Sequence, residues 1–176
     1  EATLNSDKHA FIEKPVCVDP IGARKMFALA KVAEQKGLSV VAGTQRRYHG
    51  GYQEAFNRIQ DGQIGQIVSA NCYWLSGGYV GHPLRFPLEG VSPDEMRYQL
   101  RNWLCFIWSS GDHIVEQHIH NIDVVQWFFG KMPETATGMG GRVADLPTPK
   151  FGDRFSHFSV DYDFGNGLRC NSMCRQ

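Results

Sequence analysis

Residues 111–123 read Gly-Asp-His-Ile-Val-Glu-Gln-His-Ile-His-Asn-Ile-Asp, a concentration of acids and histidines that no other segment matches. If the stretch is one helix, residues four apart share a face, which puts Asp112, Glu116 and His120 on a single stripe with Asp123 a turn further on. A carboxylate one turn before an imidazole can hold the ring and raise its basicity, as general-base chemistry near neutral pH requires. The competing reading of the same spacing is an acid-rich helix N-terminus with a solvated polar face. A metal reading, using His113, Glu116 and His120, is weaker. The run fits neither His-Glu-x-x-His nor His-x-x-Glu-His, so no metal is expected.

The elements that must position this stripe are well punctuated. Residues 1–7 read as the tail of a helix, and residues 9–13 as a short apolar strand ending at Lys14-Pro15. Asp19 is a good N-cap, Pro20 suits the first helical position, and Met26, Leu29, Ala30 and Ala33 recur at helical spacing until Gly37. Residues 38–43 form an apolar run bounded by glycines, the pattern of a strand buried on both faces. Strand, helix and strand in that order predict a parallel crossover unit. A helix over 52–60, closed by Asp61-Gly62, and a strand over 67–75 follow. Residues 77–90, rich in glycine and proline, are expected to be either a functional loop or a cover over a site. Ser92-Pro93-Asp94-Glu95 carries a capping box that predicts a helix towards Asn102. Phe158, Val160, Tyr162 and Phe164 alternate with polar residues before the turn Gly165-Asn166-Gly167, so a hairpin with Leu168 opening its return strand is predicted. The first residues sit inside a helical pattern and the last inside that return strand, so both ends read as cuts.

The 176 residues carry 18 basic and 18 acidic side chains, and this balance provides no net field for nucleic acid. No run of about eighteen apolar residues is present to span a membrane. The five cysteines are spread through predicted helices and strands. Cys170 and Cys174, on one strand, would lie about 13 Å apart at ~3.3 Å per residue, too far for a bridge. Reduced thiols point to a cytoplasmic setting.

Two separated motifs resemble the Gfo/Idh/MocA family of nicotinamide-dependent oxidoreductases. One is Glu13-Lys14-Pro15 between a short strand and a proline-capped helix. The other is the set Gly111, Glu116, His120 and Asp123, whose order and spacing match a second family motif; residues 38–48 look like the last Rossmann strand and its exit loop. Two positions depart from the pattern: Glu116 stands where aspartate is usual, and His118 where the family has glycine. The Gly-x-Gly-x-x-Gly fingerprint, which the family carries upstream of the Glu-Lys-Pro segment, is not found after any strand of this chain; Gly138-Met-Gly140-Gly141 has the wrong spacing.

The resemblance implies an α/β fold, α+β in its second part. Residues 1–48 would be the end of a Rossmann-like parallel sheet. Residues 49–176 would be a substrate-binding and dimerisation domain, built as an open, largely antiparallel sheet with helices on one face. It implies Lys14, Glu116 and His120 as catalytic residues; Glu13, Lys14, Pro15, Gln45 and Arg46 beside NAD or NADP; and Arg47, Tyr48, Gln117 and Trp103 towards a sugar, inositol or polyol substrate. The Lys14-Pro15 bond is expected to be trans by default. Trp74 and Trp103 are expected to serve in packing before ligand stacking. A homo-oligomer through the open sheet face is the expected assembly, with a non-catalytic scaffold of the same fold as the alternative function.

Overall fold

The computed structural model describes residues 1–76, 90–142, 148 and 150–176. After a short helix α1 (Ala2–Asn5), strand β1 (Ala10–Ile12) leads through the Lys14-Pro15 bond into α2 (Pro20–Gln35). Asp19 caps α2 as its sequence predicts, accepting a hydrogen bond from the Gly22 amide at 2.6 Å. Strand β2 (Val40–Ala42) returns parallel to β1, pairing Ala10 with Val40 and Ile12 with Ala42. The crossover unit is therefore present. Val40 and Val41 are nevertheless exposed, against the expectation of burial on both faces, because this sheet has only two strands among the described residues.

A 3₁₀ turn over Gln45–Tyr48 joins β2 to α3 (Gly50–Gln60), which precedes β3 (Ser69–Leu75). The loop expected over 77–90 lies outside the described residues except for Gly90. The capping-box contact of Ser92 and Glu95 forms, with the Ser92 amide donating to Glu95 Oε1 at 2.9 Å. Helix α4 (Met96–Arg101) starts only after that turn, and α5 (Ile107–Ser110) follows a 3₁₀ turn at Trp103–Cys105.

The polar run is two helices, not one. Helix α6 (Asp112–Glu116) and helix α7 (Ile119–Phe129) are separated at Gln117 and His118, whose amides both donate to the His113 carbonyl at 2.9 Å. The break accompanies the burial of His118 in the sheet core, where its Nε2 lies 2.7 Å from Ser172 Oγ and 3.8 Å from Cys72 Sγ. His113 is buried as well, against Asp112 and Phe158. Asp112 leaves the proposed stripe as well. Its carboxylate accepts the backbone amides of His113 at 2.6 Å and Phe155 at 2.8 Å.

The second sheet runs β3-β6-β5-β4, with β4 (Thr135–Gly141), β5 (His157–Asp163) and β6 (Arg169–Arg175). β5 pairs antiparallel with β4 and β6, while β3 and β6 are parallel, so the sheet is mixed with one parallel pair. The hairpin at 165–167 has the predicted strands and turn. Helix α7 covers one face, where Val125 and Phe129 pack with Cys72, Phe164 and Cys170. All five cysteines are free thiols. Among the described residues no helix is long and apolar enough to cross a membrane.

Gly152 and Gly62 separate two costs of replacing glycine. Both have positive φ, but a Cβ on Gly152 would fall 1.8 Å from the Cys105 carbonyl oxygen, whereas one on Gly62 meets nothing within 4 Å. Gly62→Ala should therefore cost about 1 kcal/mol in urea unfolding. Gly152→Ala should cost roughly 3 kcal/mol or more because backbone must also move. Equal losses would contradict this packing.

Candidate active site

The loop after β1 and the break between α6 and α7 meet at Lys14. Its ammonium donates to the Glu116 backbone carbonyl and, at 2.6 Å, to Glu116 Oε1. The two side chains are only 15% and 9% exposed, so each charge is largely removed from water and compensated mainly by the other. Gln117 donates its side-chain amide to the second carboxylate oxygen of Glu116. Glu116 accordingly serves Lys14 and Gln117 and makes no hydrogen bond to His120, the partner its sequence position suggests. The Lys14-Pro15 bond is cis, in place of the trans default.

His120 is buried beside this pair, and its ring nitrogens accept or donate no hydrogen bond among the described residues. The Trp74 ring is stacked on the imidazole, with centroids 6.2 Å apart and planes 29° from parallel. Burial is the largest influence on its proton affinity and lowers it; the positive charges of Lys14 and Arg46 lower it further, against opposing effects of Glu116 and Asp123. The ring is held below the ordinary imidazole pKa of about 6.5 and is neutral at pH 7. A neutral, unpartnered imidazole can accept a proton.

The exit from β2 supplies the other wall. Arg47 forks onto Asp123, with Nε to Oδ2 at 2.9 Å and Nη2 to Oδ1 at 2.8 Å, and its guanidinium lies over the Trp127 ring. This pairing commits Nε and Nη2 of Arg47 to Asp123, leaves Nη1 without a bond among the described residues, and gives Asp123 a definite structural role. Arg46 donates to the Asn121 side-chain oxygen and lies over the Tyr52 and Trp74 rings. Glu13 leans against Gly43, where a Cβ would come within 2.5 Å of its carboxylate. Gln45 and Tyr48 are exposed, and no hydrogen bond, ion pair or ring contact ties Gln45, Tyr48 or Trp103 to the cluster. Among the described residues no three His, Cys, Asp or Glu side chains converge on a metal-sized site.

Two members of the site lie outside the catalytic, cofactor and substrate residues expected from the sequence. Asn121 bridges Arg46 and the Tyr73 carbonyl. Trp74, expected to serve in packing, covers the imidazole. An alternating strand gives no sign of which of its side chains will meet a helix beginning more than forty residues later.

The charges around His120 fix the sign of a titration experiment. Lys14→Met removes a cation that disfavours protonation, so the His120 pKa should rise. Glu116→Gln removes an anion that favours it, so relative to Lys14→Met the pKa should lie lower. NMR titration of the His120 ring in each variant checks both signs, and a fall in Lys14→Met would contradict the arrangement.

Comparison with known proteins places the chain in a family. The model of the oxidoreductase family, C-terminal alpha/beta domain, of Gfo/Idh/MocA type matches residues 57–172. The 2,7-anhydro-N-acetylneuraminate hydratase of Escherichia coli strain K12 is 29% identical over 166 residues, covering 91% of this chain and 37% of that protein. The inositol 2-dehydrogenase of Salmonella typhimurium strain LT2 is 28% identical over 149 residues, covering 84% of this chain and 36% of that protein. The crystal structure of myo-inositol 2-dehydrogenase from Lactobacillus plantarum superposes with a TM-score of 0.69 over 97% of this chain and 44% of that one, at 22% identity. The chain thus spans little more than a third of the length of these curated relatives. It belongs to the Gfo/Idh/MocA oxidoreductase family, and residues 57–172 are the C-terminal α/β domain of that family.

Proposed function

We propose that the protein transfers a hydride between a nicotinamide cofactor and a secondary alcohol of a ring sugar, inositol or related polyol. The observation that carries this reading is the neutral imidazole of His120 set beside a lysine whose ammonium is already fixed by Glu116. Oxidation of such an alcohol breaks a C–H bond, with hydride leaving the carbon, and an O–H bond, with the proton leaving the oxygen. His120 takes the proton. Lys14, with one N–H beyond its two bonds to Glu116, donates to the oxygen as negative charge develops there. Glu116 keeps that ammonium in place, and Trp74 limits the water that reaches the imidazole.

A nicotinamide cofactor, when bound, supplies the hydride acceptor, or the donor in the reverse direction. The residues fit such a group. Glu13, Lys14 and Pro15 follow β1, Gln45 follows β2, and the two strands are parallel and adjacent, so these residues gather at the carboxyl ends where open α/β sheets take their ligands. The close approach of Glu13 to Gly43 joins the two segments. The names of the inositol and anhydro-sugar relatives support a cyclic polyhydroxyl substrate.

A second reading, a pairing domain without chemistry, draws on the sheet face away from α7. Tyr73, Leu75, Met139 and Met173 are 52%, 64%, 75% and 39% exposed there, and three of them fall in one cross-strand row with Ser159. We propose this face as the contact with a second copy, in addition to catalysis; sedimentation of a Met139→Asp variant as a dimer like the parent would remove that assignment.

Turnover decides between the readings. In the full-length protein, supplied with NAD or NADP and a panel of sugars and polyols, Lys14→Ala and His120→Ala should each lower kcat by about 10²–10⁴-fold with cofactor affinity less affected. Wild-type turnover that survives both substitutions would leave the pairing domain as the better account.

A further inference from the structure

Among the described residues, Arg46 is the cation of this site that no acid answers. Lys14 is matched by Glu116, and Arg47 by Asp123. Glu54, on α3, is paired with Arg58, and Glu13 rests on Gly43 without an ion pair to Arg46. The Arg46 guanidinium is held instead by neutral groups. Its Nη1 donates to Asn121 Oδ1, Asn121 is itself fixed by donating to the Tyr73 carbonyl at 2.5 Å, and Cζ lies 5.7 Å from the Tyr52 ring centroid and 6.0 Å from that of Trp74. Nε and Nη2 have no hydrogen-bond partner among the described residues.

Three observations make this a prepared anion site. The Arg46 side chain is half-buried, and with Nη1 committed to Asn121 its Nε and Nη2 stay open to a ligand arriving from solvent. Asn121 and the two rings fix the plane of the fork before any ligand arrives, which lowers the ordering cost of a planar, bidentate partner. The Trp74 ring that lies beneath Arg46 also stacks on His120, so the fork and the imidazole stand on one platform.

We propose that Arg46 is a carboxylate subsite, and that the substrate is a sugar acid whose reacting hydroxyl lies at His120 while its carboxylate takes the free edge of the Arg46 guanidinium. This rests on the dehydrogenase reading for the role of His120, but not for the carboxylate contact itself. A phosphate of the cofactor offers similar chemistry, and the test distinguishes the two.

The full-length protein is assayed with matched pairs, hexoses, hexosamines and cyclitols against their carboxylated counterparts, by nicotinamide absorbance. The acids should be preferred at least about tenfold in kcat/KM, and Arg46→Met should lower the acid-to-neutral ratio by about 10–100-fold, chiefly through KM; Arg46→Lys, which keeps the charge and loses the fork, should fall between. An unchanged ratio in Arg46→Met, or a preference for the neutral sugars, overturns the assignment. So does a loss confined to the cofactor dissociation constant, which would give the guanidinium to the cofactor. If no compound turns over, the dehydrogenase reading fails separately, and calorimetric binding decides. Binding of the sugar acids weakened at least about tenfold by Arg46→Met upholds the subsite, and absence of binding to the parent protein overturns it.

Discussion

The contact between Lys14 and Glu116 is the constraint on which the site depends. It joins residues 102 positions apart, the first following a strand of the parallel sheet and the second ending a helix that packs towards the mixed sheet. Neither charge can be left alone in that position, because removing one partner strands the other away from water at a cost of about 3–5 kcal/mol. Once the pair is formed, the segment after β1 is fixed against the break between α6 and α7, and everything beyond the break takes its place from there. His120 comes to lie beside Lys14. Asp123, at the next turn, reaches Arg47 from the exit of β2.

Two ionic ties and one amide bridge thus connect the β1 and β2 exits to a single helical region: Lys14 to Glu116, Arg47 to Asp123, and Arg46 to Asn121. The first two neutralise their own charges. They leave the imidazole in a setting dominated by burial and by the positive groups nearest it, which is the setting a proton acceptor at neutral pH requires. The unusual length of Glu116, where the related motif has aspartate, is used in reaching Lys14 and Gln117.

Much of the framework was legible because its signals are local. Asp19, Pro20 and Gly37 mark α2 by capping and by backbone freedom, and the alternation around Gly165-Asn166-Gly167 marks a hairpin in two adjacent segments. Lys14, Glu116 and His120 were legible as a set only through two motifs whose residues each look ordinary alone. What failed depended on contacts distant in sequence. Helical spacing alone does not reveal that His118 will be drawn to Ser172 and interrupt the helix, or that Asp112 will turn to the Phe155 amide. The apolar character of residues 38–43 indicates a strand, but the number of strands beside it determines whether Val40 and Val41 are covered. Trp74 and Asn121 carried no sign of their neighbours.

A double-mutant cycle over Lys14→Met and Glu116→Gln, read by urea unfolding, tests the organising contact most directly. A coupling free energy of about 1–3 kcal/mol between the two positions is predicted. Additive losses, with coupling within about 0.3 kcal/mol of zero, would show that the pair does not hold the site together.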